Sequence, residues 1–397
     1  MNFDRGLVDI SLSLIPGSGG GITLVSSLPF EARGRVSNRI YGAGMGENVR
    51  IFLSAGDTVF SVDLSDNSIQ QFSGQGQLWI IPADITTSSG GNRNTTGKIE
   101  NAWVVSDRGR VTLVDGNMEP VQGFPVITGL RLSSPPVSYN GILYICDEDG
   151  RVHTINESGR QTVWETSFIA ALRSPPSFLT FTSRSGGRNN ERNYAAVYPK
   201  SFLGEIWLLD TDGKALPNWP VPVSAAVFGG ETSGIAFGSP LLFARDNSVH
   251  VAFVTQDGEL SVYGENASLV PPFPLNLAGV FYLQPVFDGE YLWLVSAGGI
   301  LFRISFEGEV LYQHIAGLSV MEEGYITVFD CDGDGIPEIF ITGEGNVLHA
   351  YTRNFRSLEG FPLPVWGMPY FAAAQGSRKP EIFGMGMDRQ LYRWQFR

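Results

Sequence analysis

The chain has 397 residues, with 48 glycines, 23 prolines and 12% aromatics. That composition supports a large, turn-rich core and is too apolar for a disordered chain. A net charge of −13 with no basic stripe disfavours nucleic acid and anionic membranes as partners. No apolar run approaches the roughly 20 residues of a membrane-spanning helix. Met1 to Gly21 lacks the basic start and apolar middle of a signal peptide, so an exported form would have lost its leader. Two cysteines, Cys146 and Cys331, make no disulfide framework.

In chain order, residues 1–21 form an N-terminal extension in which Leu7 to Ile15 alternates without an assigned partner, and residues 22–30 end in Leu28-Pro29-Phe30. Eight similar units follow. Turn markers fall at Asp57, Gly109, Gly150, Gly204, Gly258, Gly299, Asn346 and Arg389, spaced by 52, 41, 54, 54, 41, 47 and 43 residues. Two places after each marker the residue is aliphatic, and five places after it is apolar or aromatic. An odd separation puts these positions on opposite faces of a strand, so both faces are covered, as in a propeller blade between two neighbours. The spacing suits four-stranded blades with loop insertions.

Two further phrases order the strands. Gly123-Phe124-Pro125, Asn218-Trp219-Pro220, Pro272-Phe273-Pro274 and Gly360-Phe361-Pro362 follow the marker strand; Ser134-Pro135-Pro136, Ser174-Pro175-Pro176, Ser239-Pro240 and Gln284-Pro285 open the next. Proline donates no ladder bond, so it belongs at a strand start or on an edge. The Ser-Pro strand is therefore innermost and the Phe-Pro strand outermost. The last unit lacks its outer strand, and residues 22–30 supply it. The expectation is an all-β, eight-bladed propeller, one domain over 1–397, closed by an N-terminal strand that completes the C-terminal blade. That register puts the two cysteines on opposite sides.

Insertions at Ser88 to Lys98, Ser183 to Asn193 and Asp330 to Glu338 share one rim of such a meander. Arg93, Arg184, Arg188 and Arg192 would concentrate positive charge there, either to hold an anionic partner or simply to solvate loops. On the other rim Phe228, Phe237, Phe281, Tyr282, Tyr370 and Phe371 precede or begin innermost strands. They would anchor a protein at the channel mouth or pack between blades.

The acidic loop carries the clearest chemistry. Asp330, Asp332 and Asp334 at alternate positions, with a glycine to turn the backbone, make an oxygen cage for a hard cation such as calcium. Ile341 stands where an EF-hand has its bidentate Glu, so the loop is not an EF-hand. In the last unit Pro380-Glu381-Ile382-Phe383 repeats Pro337-Glu338-Ile339-Phe340 without the aspartates, so the blade forms without metal and the ion stiffens one loop. His153, His250, His314 and His349 are scattered through separate units, which favours ordinary strand histidines. Glu322-Glu323 reads as a solvated turn, and no nucleophile elbow, His-Glu-x-x-His pair or phosphate loop is present.

The Asp330 to Glu338 loop and the Gly-Phe-Pro-Leu phrase resemble FG-GAP repeats of bacterial extracytoplasmic proteins. The resemblance implies a calcium held also by the Ile336 carbonyl and by Glu338 as the closing acid. The stretch from Ser134-Pro135-Pro136 through Asp149-Gly150-Arg151-Val152 to Gly159 and Trp164 is similar to the repeat of quinoprotein-like propellers, which include the outer-membrane assembly factors of the BamB type. These resemblances imply an exported, monomeric, non-enzymatic scaffold for a protein partner. The alternatives are a BamB-like envelope assembly factor and a quinoprotein-like or carbohydrate-acting enzyme working at the channel mouth.

Overall fold

In the computed structural model the described residues are 22–29, 36, 39–43, 49–83, 101–166, 168, 170–172, 174–185, 188–199, 204–223, 227–228, 231–232, 234–372 and 379–396. They form eight antiparallel blades. In blade 1 the order from the axis outward is Tyr41–Ala43, Arg50–Ala55, Thr58–Asp63 and Ser68–Ser73. Blade 2 follows with Leu78–Pro82, Asn101–Ser106, Arg110–Asp115 and Val126–Ile127. Blades 3 to 6 repeat the pattern, beginning at Val137, Ser177, Leu241 and Val286. Each of these four first strands comes just after its Ser-Pro or Gln-Pro phrase, so the prolines do sit at the inner edge.

Blade 7 has three full strands, Tyr325–Phe329, Glu338–Gly343 and Val347–Tyr351. Its outer strand shrinks to one bridge, in which Leu348 and Leu363 exchange backbone bonds of 2.8 and 2.9 Å. Blade 8 joins the chain ends. Ile22–Pro29 pairs antiparallel with Gln390–Phe396, from Ile22 opposite Phe396 to Pro29 opposite Gln390. A second seam lies nearer the axis, where Ile40 N–H donates to the Met368 carbonyl at 3.3 Å.

The core is a ring of inter-blade layers, because every blade is apolar on both faces. Trp103, Trp293, Trp394, Phe243 and Phe340 are fully buried within it. Neighbouring blades are also latched near the outer edge. The aromatic of one outer strand reaches the next blade: Trp164 donates its indole N–H to the Thr211 carbonyl at 3.0 Å, and Trp219 does the same to Glu265 at 2.8 Å. Gly213 makes this contact possible, since a Cβ there would sit 2.1 Å from the Trp164 ring and its φ of +81° already favours glycine.

One expectation changes. Ser183 to Asn193 is not a loop insertion: Ser177–Ser185 and Arg188–Val197 pair in register as far as Ser185 opposite Arg188, so the inner two strands of blade 4 are lengthened. The Ser88 to Lys98 insertion and the 1–21 extension lie outside the described residues. Both cysteines are free and buried, Cys146 in blade 3 and Cys331 in blade 7.

Candidate metal centre and channel rim

The acidic loop joins the first and second strands of blade 7. Gly333 and Gly335 take φ values of +82° and +83°, which a side chain would resist, and the chain there folds back on its own carboxylates. Asp330 accepts from the N–H groups of Gly333 at 2.7 Å and Gly335 at 3.0 Å, while Asp332 accepts from Asp334 N–H at 3.1 Å. Oxygens of Asp330, Asp332 and Glu338 lie within 4.8 Å of one another. Asp334 instead holds the Ile336 N–H at 2.6 Å, and the Ile336 side chain is exposed. The three grouped carboxylates suit an oxygen-preferring cation.

Glu338 is the unusual member. It opens the second strand opposite Phe329 and is only 6% exposed. Burial pushes its carboxyl above the ordinary range; Asp332 and Asp334 add to the rise, and the Cys331 N–H at 3.0 Å opposes it. Burial by the same packing also raises the Cys331 thiol well above its usual value.

Blade 8 supplies the internal comparison. Glu381 occupies the same place, fully buried, and is neutralised by Arg393 at 2.7 Å with a further bond from Gln395 at 3.2 Å. By register, Ala350 stands in blade 7 where Arg393 stands in blade 8, and Thr352 where Gln395 stands. A buried carboxylate without a partner cation is costly. In blade 8 an arginine meets that cost; in blade 7 the neighbouring charges are aspartates.

At the other end of the first strands the connections between blades surround a cavity of about 320 Å³ on the axis. Arg39 enters it, donating to the Tyr325 hydroxyl at 3.0 Å and the Tyr41 hydroxyl at 3.3 Å, and those two tyrosines hold its pKa above the ordinary arginine value. Ser174 and Ser239, on adjoining connections, bond the carbonyls of Gly238 and Pro175. Arg39 escaped sequence reading because it lies outside every repeated phrase.

The other singled-out residues divide. Phe281 is fully buried against Phe302, and half-buried Tyr370 lies flat on Gly42 at the seam between blades 8 and 1, so both pack between blades. Tyr282 is half-buried beside Phe237, whose N–H donates to the Tyr282 carbonyl at 2.8 Å. Arg192 is exposed and pairs with Glu265 at 3.2 Å, which ties blade 4 to blade 5. Arg184 and Arg188 are placed only as backbone of the long hairpin, and Arg93 lies outside the described residues.

No family model and no curated protein matches the chain. Solved structures do. BamB from Moraxella catarrhalis superposes with a TM-score of 0.60 at 14% identity, covering 94% of this chain and 100% of that one. In fold, the chain resembles BamB. BBS1N, solved in complex with ARL6DN, matches with a TM-score of 0.55 at 9% identity over 95% and 98% of the two chains. The computationally designed Ika8 protein matches at 0.51 and 10% over 89% and 95%. At such identities the likeness is one of fold, and a designed protein among the neighbours underlines that blade geometry carries no particular task.

Proposed function

We propose that the chain is a rigid, non-enzymatic extracytoplasmic propeller that holds a protein partner on its channel rim and carries one structural calcium in the blade 7 loop. The observation that carries the scaffold reading is the rim itself. Three successive inter-blade connections present Phe237, Val280 and Met321, exposed by 37, 50 and 50%. Apolar side chains grouped on one face of an acidic surface fit a protein interface better than solvent. BBS1N, a neighbour in fold, was solved with a second protein bound. The full-length likeness in fold to BamB supports an envelope setting, and with it the finer reading of an assembly factor.

Calcium is supported by the exchange between blades. Asp330, Asp332 and Glu338 would hold the ion, which would give Glu338 the compensating charge that Arg393 gives Glu381. The ion would thus act on stability.

A photocrosslinker in place of Phe237 should capture a discrete partner from an extract of the producing cells, and one in place of outer-edge Tyr312 should not. Identical adducts at both positions, or none at position 237, would overturn the rim. Calcium at about 100 times its Kd should add about 2.7 kcal/mol of stability. Melting with and without chelator measures this, and a response that survives in both Asp332→Ala and Glu338→Gln refutes the cage.

A further inference from the structure

Six of the eight units carry a ring three places after the turn marker: Phe60, His153, Trp207, Phe302, His349 and Tyr392. This position faces the neighbouring blade. Trp207 meets Phe168 with centroids 5.7 Å apart, and Phe302 meets Phe281 at the same distance, so the ring closes the space between blades. Blades 2 and 5 have Thr112 and Ser261 there instead. Beside Thr112 the structure contains a groove of about 290 Å³ between blades 1 and 2. Its wall is Phe72 of the blade 1 outer strand, its floor is Leu78 and Val104, and Thr112 and Ser106 give it a buried hydroxyl side. The volume is at the low end for a ligand pocket and suits one large side chain rather than a cofactor.

The lip of the groove has the opposite charge to the molecule. Arg108 and Arg110 line it, are exposed, and have no ion-pair partner among the described residues. Asp107 lies against Gly76 and is not one of the lining residues. Two uncommitted guanidinium groups over an apolar floor, in a chain of net charge −13, favour an anionic occupant with an apolar anchor. The outer strand Ser68–Ser73 runs beside the groove as a six-residue sheet edge, which suits an extended chain.

We propose that the groove between blades 1 and 2 binds an extended acidic peptide, which inserts one aromatic side chain where six of the blades supply their own ring and sets its carboxylates against Arg108 and Arg110. The site is separate from the channel rim and stands whether or not that rim holds a partner.

The test uses the full chain and a fluorescein-labelled peptide of sequence Asp-Glu-Phe-Asp-Glu, read by anisotropy. Saturable binding is expected, weakened at least tenfold by Arg108→Glu with Arg110→Glu, and equally by Thr112→Phe, which fills the groove without changing charge. Replacing the peptide phenylalanine with alanine should cost a similar factor against the unaltered protein, a comparison that needs no variant to fold. Loss in the arginine variant alone, with Thr112→Phe and the alanine peptide binding as before, would reduce the effect to diffuse charge attraction and overturn the proposal. So would affinity within twofold across all of these.

Discussion

At the residue scale, His250 and His349 show how one side-chain type takes its properties from its neighbours. His153 and His349 are equivalent in the repeat, yet His153 bonds Asp147 at 2.7 Å while His349 Nε2 is buried with no partner among the described residues. His250 stacks on Phe243 with its Nδ1 likewise buried and unpaired. Burial lowers both of their pKa values below the ordinary histidine range, and in His250 the charge of Arg245 adds to this. The unfolded chain therefore takes up protons, at about pH 6.5, that the native imidazoles refuse. Their contribution to stability is present above that pH and is lost as pH falls through the native values. His250→Phe combined with His349→Phe should flatten the decline of melting temperature between about pH 6.5 and 5; an unchanged slope would refute this. The cluster of carboxylates was legible as a spacing in the loop. That Glu338 is buried beside Ala350, where the next blade has Arg393, is a fact of register that no local pattern states.

At the element scale, several outer strands have short ladders, and two blades add an aromatic latch to the next blade. Val126–Ile127, Val221–Pro222 and Leu275–Asn276 are two residues long, whereas Trp164 and Trp219 reach the next blade with both a ring contact and an indole hydrogen bond. Trp164→Ala should remove a buried ring and its bond to Thr211 together, for a loss of about 3–5 kcal/mol in chemical denaturation. A loss under about 1 kcal/mol would mean that the strand pairing alone suffices. Innermost and outermost strands could be placed from proline positions because a missing N–H is a local property. Ser183 to Asn193 misled because its polar, arginine-rich sequence reads as loop, while in space Ser183, Arg184 and Ser185 pair across the hairpin with Asn190, Asn189 and Arg188.

At the scale of the whole molecule, stability depends on the ring being shut. Ile22–Pro29 completes blade 8 by pairing along nearly its full length with Gln390–Phe396, and Ile22 is buried in the layer shared by blades 7 and 8. Loss of that strand would expose Leu391, Trp394 and Phe396 along a new sheet edge. A chain lacking residues 1–29 should therefore unfold at lower denaturant, bind a hydrophobic dye and associate in sedimentation, while a monodisperse chain of unchanged midpoint would show that closure contributes little. The amino-acid sequence by itself determined the number of blades, the order of strands within them and the partner of the N-terminal strand, because each follows from alternation, proline placement and repeat length along the chain. Tertiary structure alone decided which buried acid meets an arginine, which aromatics face solvent and where a missing ring leaves a groove, because those depend on the side chains that neighbouring blades bring to a shared layer.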